Sequence, residues 1–356
     1  MKKILLISGI CLLIMAMISC DKTSNEIHSD NSGVYIDDLV YDNIQDAIDA
    51  AANGDTLVLT QGIYAGTNNT NLMWDGGDKH LVITTDQRGF QADYAIIEGN
   101  GKGAGFYFDN TQQNQNDIIS GITIRNMGTK AEEYNAAFYC NGAAPLVQNC
   151  FVYDCPWSAV YCFNANPRFE NSTFFDNYAT FNLDGESDPV ILLCFIENSS
   201  LDAVYAKDDS YPALFNNLIA NNQRGIYLHS ANALMVSNTI VSNTEWGVKV
   251  NSDLVSQMIN CILWDNNGND FVVTGDSLLN ASYTCAPTEY PNINPSEHEN
   301  IYDNPDFLSS NNYHLKSTSP CRDIGNPGVV YWDSDLDGEP RIHNNEIDLG
   351  AYEWHQ

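Results

Sequence analysis

Short apolar segments recur through the middle of the chain at a nearly constant interval. Seven six-residue segments end on Asn or Asp, and their first residues lie 28, 22, 22, 24, 21 and 22 positions apart. Only three to five residues separate successive bends, which is too few for helices and typical of strands. The segments are GITIRN from Gly121, NCFVYD from Asn149, NSTFFD from Asn171, LCFIEN from Leu193, NLIANN from Asn217, NTIVSN from Asn238 and NCILWD from Asn260.

The bends carry their own pattern. Asn tolerates the left-handed conformation and can hydrogen-bond to the same residue one turn away, so Asn at one phase predicts stacked corners. The sixth positions are Asn126, Asp154, Asp176, Asn198, Asn222, Asn243 and Asp265. The apolar residues two positions before each segment are Ile119, Val147, Phe169, Ile191, Phe215, Val236 and Met258. Three short strands per turn of about 22 residues predict an all-β chain, a right-handed single-stranded parallel β-helix.

Alternation assigns the faces of the third strand in each turn. Apolar side chains at every second position predict an inward face formed by Phe138/Cys140, Val160/Cys162, Phe181/Leu183, Val204/Ala206, Ile226/Leu228 and Val248/Val250. Outward, each strand is expected to show first a small residue. The larger outward residues, here named the outward row, are Tyr107, Tyr139, Tyr161, Asn182, Tyr205, Tyr227 and Lys249. A third outward series is Asp109, Asn141, Phe163, Asp184, Lys207, His229 and Asn251.

The N-terminus predicts the compartment. Residues 1–19 contain two lysines and an apolar stretch, as a secretory signal peptide does. The ending Met17-Ile18-Ser19-Cys20 resembles a bacterial lipobox, which implies that Cys20 is lipidated and that residues 20–33 form a polar tether. The alternative is an ordinary signal peptide cleaved nearby. The expected location is the bacterial cell envelope, either anchored to the outer membrane or periplasmic, with a membrane contact through the lipid.

Composition and charge limit the classes of molecule that the protein is expected to bind. The 356 residues include 15 Lys+Arg against 46 Asp+Glu, a formal net charge of -31, which argues against nucleic acid as a partner. With 44% hydrophobic residues the chain can bury one large core, so we expect a monomer with one folded domain. The β-helix is predicted over 34–285, and 286–356 is predicted as a C-terminal cap continuous with it.

Both ends resemble the pectin-lyase-like β-helix family. The entry is YDNIQDAIDAAANGDTLVLTQGIYAG from Tyr41, where Asn43 fits a helix N-cap and Asp46 the third helical position. A short helix there would cover the open end of the core. The motifs NPDF, DLDGEPR and EIDLGAYE resemble the terminal cap of secreted bacterial β-helix proteins. The resemblance implies the fold, whereas family members include lyases, hydrolases, esterases and proteins without known activity.

The outward row offers a binding surface. Tyr139, Tyr161, Tyr205 and Tyr227 are suited to stack on sugar rings, and Asn182 and Lys249 would complete a polysaccharide track of roughly 24 Å. The alternative is a tyrosine ladder that only stabilises the parallel strands. These two alternatives correspond to a polysaccharide-binding protein and to a non-catalytic adhesion or scaffold protein of the cell surface.

The same surface resembles, in fragments, the site of polygalacturonases. The matching pieces are Asn182-Leu183-Asp184, Asp208-Asp209, His229 and Lys249, although His229 lacks flanking glycines and Lys249 has no arginine two residues before it. In hydrolysis, Asp208 or Asp209 would be the acid, and Asp184 or the other aspartate would activate water. In elimination, Lys207 or His229 would be the base, with Ca²⁺ held by Asp184, Asp208 and Asp209.

Two features of the C-terminal region also carry expectations. The run Asp333-Ser334-Asp335-Leu336-Asp337-Gly338 imitates the start of a calcium loop, with Asp333, Asp335 and Asp337 as ligands, or else it is a turn with carboxylates bonded to backbone amides. Cys285 and Cys321 are the expected disulfide, since the compartment permits oxidation.

Overall fold

A computed structural model describes residues 33–74, 79–86, 91–109, 111–129, 136–287 and 299–355. The predicted signal peptide, Cys20 and all but the last residue of the tether lie outside the described residues, so the lipid anchor and the envelope location stay predictions. Over the described ranges, no helix is long and apolar enough to span a membrane.

Three parallel sheets run along the molecule, with one strand of each in most turns. The twelve-stranded sheet contains, in spatial order, β2 (Leu39–Tyr41), β1 (Val34–Ile36), β3 (Thr56–Leu59), β5 (Val82–Thr85), β8 (Ile118–Ser120), β11 (Leu146–Gln148), β14 (Arg168–Glu170), β17 (Val190–Leu192), β20 (Ala213–Phe215), β23 (Leu234–Val236), β26 (Val255–Ile259) and β29 (Leu278–Ser282). In this sheet β1 pairs antiparallel with both β2 and β3, and the later pairings are parallel.

The other two sheets are parallel throughout. The nine-stranded sheet contains β4 (Gly62–Ala65), β6 (Ala95–Glu98), β9 (Thr123–Arg125), β12 (Phe151–Tyr153), β15 (Thr173–Phe175), β18 (Phe195–Glu197), β21 (Leu218–Ala220), β24 (Thr239–Val241) and β27 (Ile262–Trp264). The eight-stranded sheet contains β7 (Phe106–Phe108), β10 (Ala136–Asn141), β13 (Ser158–Phe163), β16 (Ala179–Asp184), β19 (Asp202–Lys207), β22 (Arg224–His229), β25 (Trp246–Asn251) and β28 (Phe271–Val273). A separate antiparallel pair, β30 (Phe307–Ser309) and β31 (Asn312–Leu315), belongs to the C-terminal region.

One apolar core fills the space between the sheets. The six predicted inward pairs of the eight-stranded sheet are all fully buried in it, which confirms the face assignment. The parallel register stacks like on like, since Cys140 lies opposite Cys162 and Val204 opposite Ile226. Burying a continuous column of such side chains is the main stabilisation of a repeat fold, because no turn can bury its apolar face alone.

A short helix covers the N-terminal end of the core, as predicted. Helix α1 (Ile44–Ala50) begins after Asn43, whose side chain accepts a hydrogen bond from the Asp46 backbone amide at 2.9 Å. Ile44, Ala47 and Ile48 are buried on its inner face. The cap residue and the apolar spacing therefore produce the expected helix.

In two repeats the left-handed corner lies one residue earlier than the sequence pattern predicted. Five of the seven predicted positions, Asn126, Asp154, Asp176, Asn198 and Asp265, have left-handed backbone angles. In the other two repeats the preceding residues, Asn221 and Ser242, take that conformation instead. Asn222 and Asn243 point inward, fully buried or nearly so, and the Asn222 amide donates to Asn243 Oδ1 at 3.0 Å.

The same one-residue offset affects the neighbouring strands. Leu214 and Met235 occupy the inward positions opposite Ile191 and Met258. Phe215 and Val236, which the sequence pattern aligned with Ile191 and Met258, lie on the other face. A slip of one residue inverts every side chain of a strand, so two Asn positions in tandem made the pattern ambiguous.

The third strand also begins earlier than predicted. Ala137, Ala159, Thr180, Ala203, Gly225 and Gly247 were expected to face outward but are buried. The space there is tight: a Cβ at Gly225 would lie 2.1 Å from the Gly247 carbonyl oxygen. The first outward residues of the strands are instead Ala136, Ser158, Ala179, Asp202, Arg224 and Trp246. Ala136 pairs in register with Ser158 and Ser158 with Ala179, and Asp202 pairs with Arg224 and Arg224 with Trp246.

The C-terminal region packs on the outer face of the nine-stranded sheet. Leu218, Ala220 and Val241 are covered there by a cluster that includes Leu336 and Tyr352. Arg341 is 1% exposed and donates to the carbonyls of Asp348 and Gly350 at 2.8 and 2.6 Å. Its Nη1 atom lies 3.3 Å from Glu353 Oε2, so a buried ion pair fixes the end of the segment.

The predicted disulfide pair lies beneath this region. Cys285 and Cys321 are both buried, belong to one apolar cluster and are free thiols in the structure. The pKa of the Cys285 thiol is raised by a hydrogen bond with Cys321 and by burial. The two sulfur atoms are therefore neighbours, and the bond between them stays a prediction.

Candidate functional site

The outward row lies on the eight-stranded sheet in the predicted register. Tyr107 pairs with Tyr139, Tyr139 with Tyr161, and Tyr161 with Asn182. The row then continues through Tyr205 and Tyr227 to Lys249. The seven side chains therefore form one continuous file across successive turns.

The first part of the row is a closed ladder of stacked rings. Tyr107 and Tyr139 have centroids 4.3 Å apart, and Tyr139 and Tyr161 lie 5.7 Å apart with an interplanar angle of 4°. Only 7% of Tyr139 and 6% of Tyr161 is exposed. Because these rings cover one another, this part of the row has the geometry of the stabilising ladder.

A charged cluster adjoins the row where the ladder ends. The Tyr161 hydroxyl donates to Asp184 Oδ2 at 3.0 Å, and Lys207 Nζ lies 2.8 Å from the same oxygen. Partial burial favours the neutral form of Asp184, but the bonds from Lys207 and Tyr161 outweigh it and lower the pKa. The pKa of Lys207 is raised, because Asp184 and Asp208 outweigh its own desolvation. Both groups are therefore held in their charged forms.

The other predicted catalytic residues are more exposed. Lys207 Nζ lies 3.4 Å from Asp208 Oδ2, and the Asp208 side chain is 60% exposed. Asp208 and Asp209 both have left-handed backbone angles at a turn, with the Asp209 amide donating to the Ser230 carbonyl at 2.8 Å. His229 pairs with Lys207 across neighbouring strands, and its Nδ1 atom lies 3.4 Å from the Tyr227 hydroxyl.

Lys249 ends the row against aromatic rings. Its Nζ atom lies 5.0 Å from the Tyr227 centroid and 4.6 Å from the Trp246 centroid. These are cation–π distances, so the ammonium group is held on the row by two rings.

A pocket of about 390 Å³ opens on the row beyond the ladder. Tyr205 and Tyr227, stacked with centroids 5.2 Å apart, line it on one side. Trp157 and Tyr178, stacked at 5.7 Å, line it as well. The remaining lining residues are Ser158, Ala179, Asn182, Leu201, Asp202 and Arg224. Aromatic walls with a few polar groups are the usual composition of a small-ligand site.

Asp202 is the most unusual group in this pocket. It is 4% exposed, and burial raises its pKa to about 6 although Arg224 acts in the opposite direction. Arg224 Nη1 lies 3.7 Å from Asp202 Oδ2, while Arg224 Nε lies 2.9 Å from Glu245 Oε2. The guanidinium group also lies 4.9 Å from the Trp246 centroid. One guanidinium is thus shared by two carboxylates and an aromatic ring.

Several buried polar atoms of the pocket have no partner. Asp202 Oδ1, Asn182 Oδ1 and Trp157 Nε1 accept or donate no hydrogen bond within the described part of the protein. Buried polar atoms in folded proteins are nearly always satisfied, and an exception needs an explanation. Three such atoms belong to residues that line one pocket, so a bound molecule could supply the hydrogen bonds that the protein does not.

The predicted calcium ligands are arranged as follows. Asp335 Oδ1 accepts the backbone amides of Asp337 and Glu339 at 2.9 Å each, and Oδ2 accepts the Glu353 amide at 2.8 Å. Asp337 Oδ2 lies 2.5 Å from His314 Nε2, and Asp333 is exposed. Among the described residues, no three His, Cys, Asp or Glu side chains are placed to hold a metal ion. Calcium, here or at Asp184, Asp208 and Asp209, stays a prediction.

Sequence reasoning missed most of the pocket. Asp202, Arg224 and Trp246 stand one position before the small residues at which each strand was taken to begin, and Trp157 precedes the corresponding Ser158. The available signal was a column of large or charged residues at that position, spaced 22 residues apart from Asp202 to Trp246.

Comparison with known proteins bears on this architecture. A family model described as a right handed beta helix region matches residues 136–283. The chain is a right-handed parallel β-helix. A solved structure described as the crystal structure of pectate lyase Pel9A is similar over 87% of this chain and 90% of that chain, with a TM-score of 0.61 and 14% identity. Identity this low establishes the shared fold of the two β-helices and nothing about chemistry.

Other comparisons add little to the β-helix assignment. The complex structure of XylC with xylose gives a TM-score of 0.37 at 10% identity over 58% of this chain and 44% of that chain, which is too low to support an argument. No curated protein matches the β-helix by sequence.

Proposed function

We propose that this β-helix binds a polysaccharide along the outward row of its eight-stranded sheet. The observation that carries the proposal is the aromatic pocket, which opens between Asn182, Tyr205 and Tyr227 of that row. Stacked rings offer apolar faces to sugar rings, and the adjoining polar groups offer hydrogen bonds to hydroxyls. A pectate lyase shares the fold, which supports a polysaccharide ligand at the level of fold only.

The binding role belongs mainly to the second part of the row. Tyr139 and Tyr161 are buried in the ladder, whereas Tyr205 and Tyr227 line the pocket with part of their surfaces open. A chain of sugars would cross the pocket mouth and continue past Lys249.

The test is binding of the purified protein to a panel of neutral and uronate-rich polysaccharides in affinity gel electrophoresis. Tyr205→Ala and Tyr227→Ala are expected to weaken binding about tenfold each, since each removes a stacking face. Tyr302→Ala is the matched control, because Tyr302 is an exposed tyrosine away from the row. Absence of binding to every member of the panel would leave the scaffold role and overturn the proposal.

Hydrolysis is the second candidate, favoured by one specific observation. Lys207 and Tyr161 hold Asp184 ionised beside the row, as a carboxylate that activates water must be. Elimination with Lys207 as base is less well supported, because Asp184 and Asp208 raise the pKa of that ammonium group.

Product analysis separates the candidates. If the site is catalytic, Asp184→Asn, Asp208→Asn, Asp209→Asn and His229→Ala should each lower turnover by about 10² or more while leaving binding largely intact. Hydrolysis yields only reducing ends, whereas elimination also yields a double bond that absorbs in the ultraviolet. Binding without either product, with and without added calcium, identifies a binding protein.

We also propose that the protein is held at the cell envelope through Cys20. The support is the lipobox-like segment that precedes the folded chain. Cys20→Ser should move the protein from the membrane fraction to the soluble fraction, and equal partitioning of the two forms would contradict the anchor.

A further inference from the structure

The pocket beside Asp202 has polar groups that select a ligand by its hydrogen-bonding capacity. Asp202 Oδ1 and Asn182 Oδ1 are acceptors without a donor, and Trp157 Nε1 is a donor without an acceptor, within the residues that the structure describes. A ligand that satisfies all three must supply at least two donors and one acceptor. Hydroxyl groups do both, because each donates one hydrogen and accepts through its lone pairs.

The walls restrict the shape of that ligand. Trp157, Tyr178, Tyr205 and Tyr227 supply two stacked aromatic pairs. The rest of the lining is small or aliphatic apart from Asn182, Asp202 and Arg224. A flat apolar face with hydroxyls at its edge is the shape of a sugar ring, and the 390 Å³ volume lies within the ordinary range for small-ligand sites.

The charges restrict the ligand further. Arg224 faces Asp202 and Glu245 together, and Lys249 also lowers the pKa of both carboxyls, so the ionised set carries two positive and two negative charges and is balanced. A sugar carboxylate would leave one negative charge in excess beside Asp202 and could donate nothing to the two unpaired acceptors. An amino sugar would bring its ammonium group beside the Arg224 guanidinium. A sugar without charge avoids both penalties.

We infer that this pocket binds one neutral sugar ring of the polysaccharide. The calcium-assisted site predicted from the sequence would instead bind a uronate. The inference rests on the proposed polysaccharide function and deepens it. Asp202 and Asn182 receive hydroxyl hydrogens, Trp157 donates to a ring or hydroxyl oxygen, and the stacked tyrosines carry the apolar face.

Calorimetric titration of the full protein with defined hexasaccharides tests the inference. The probes are hexasaccharides of glucose, xylose, mannose and galactose, together with those of galacturonate and glucosamine. At least one neutral probe should bind ten times or more tightly than both charged probes. Asp202→Asn should weaken that binding about tenfold, because a charge-assisted bond is lost, and Trp157→Phe should weaken it several-fold while keeping the aromatic wall.

The control is Asp253→Asn, which removes an exposed carboxylate outside the pocket and should leave the affinity unchanged. Thermal melting of each variant confirms that it is folded, and Trp157→Phe keeps the test decisive if Asp202→Asn is unstable.

Four results would overturn the inference. Tighter binding of a charged hexasaccharide, or wild-type affinity in both pocket variants, sinks the neutral-sugar assignment but leaves polysaccharide binding along the row intact. Binding of polymers but of no hexasaccharide has the same meaning. Failure of every oligomer and polymer to bind removes the proposed function together with the inference.

Discussion

The two faces of the eight-stranded sheet follow different physical rules. On the inner face, Val204, Ile226 and their neighbours are fully buried, and the register stacks apolar on apolar. On the outer face of the same strands, Asp202 is almost as buried but leaves a carboxylate oxygen without a partner. Asp202 and Val204 are two residues apart, and they lie on opposite faces because the regular alternation is interrupted at Ala203, which is itself buried in the core.

This difference separates stability from function. A side chain on the inner face gains free energy by leaving water, and any of several apolar residues would serve. The unpaired atoms around the pocket lack the hydrogen bonds that would offset the free-energy cost of burying them, so removing such a group can raise stability. A charged substitution on the inner face should therefore lower stability, whereas neutralising Asp202 on the outer face should raise it.

The largest expected effect is on the inner face. Val204→Asp would place an unpaired charge between two turns and should lower the free energy of unfolding by ~4 kcal/mol or more. Soluble yield and urea denaturation measure it. The adjacent outward change, Tyr205→Ser, should cost only about 1 kcal/mol. A soluble Val204→Asp protein beside an unfolded Tyr205→Ser protein would mean that the faces are inverted.

An intermediate effect of opposite sign is expected at Asp202. Burial raises the pKa of its carboxyl to about 6, so ionisation in the folded protein is costly. Below about pH 4 the carboxyl is protonated in both the folded and the unfolded protein, so it does not lower the free energy of unfolding. The wild type loses stability as the pH rises from there through about 6. Asp202→Asn removes that cost and should stabilise the protein by about 1–3 kcal/mol at pH 8.

Denaturation curves at pH 4 and pH 8 check this result. The gain should vanish at pH 4 and should be absent at both values in Asp253→Asn, whose carboxyl is exposed. A destabilised Asp202→Asn protein at pH 8 would show that the Arg224 contact outweighs burial.

The smallest effect belongs to the junction between ladder and pocket. Tyr161→Phe removes one of the two side-chain donors that lower the pKa of Asp184, so that pKa should rise toward its ordinary value. The stability linked to this group is present at neutral pH and is lost as the pH falls through the lowered pKa. The loss at pH 7 should be about 1 kcal/mol or less. Carbon-13 NMR titration of the carboxyl measures the shift.

Tyr227→Phe provides the comparison for that measurement. It removes a hydroxyl from the same row whose recorded contact is with His229, and it should leave the Asp184 titration unchanged. An unchanged titration in Tyr161→Phe would mean that Lys207 alone sets the pKa.

The fold could be predicted from the sequence because the same pattern of apolar and polar positions recurs in each turn of the β-helix. The spacing, the inward pairs and the N-cap at Asn43 were all predicted correctly. The predicted corner was one residue late in the two repeats that begin at Asn217 and Asn238, where two neighbouring positions at a bend both suit polar residues. There the left-handed corner and the inward Asn ladder could not be told apart by composition.

The site was less predictable because its residues acquire their character from tertiary contacts. Asp184 could be placed on the outer face from alternation, but its low pKa depends on Tyr161 and Lys207 from two other strands. Asp202 was not among the residues predicted from the sequence. It lines one pocket with Trp157, Tyr178 and Arg224, and no linear pattern encodes that arrangement.

Because the C-terminal segment covers the nine-stranded sheet, folding of the protein can be completed only after the end of the chain has been synthesised. Leu218, Ala220 and Val241 form an apolar outer face, and Leu336 and Tyr352, which lie much later in the sequence, cover it. The early turns can stack before the chain is complete, but this apolar face stays exposed to solvent until the C-terminal segment is available to cover it. Contacts between segments that are distant in sequence form slowly, and the exposed apolar surface can aggregate before they form. The protein is predicted to cross a membrane before it folds. If the whole chain is across the membrane before folding starts, the apolar face is exposed for a shorter time.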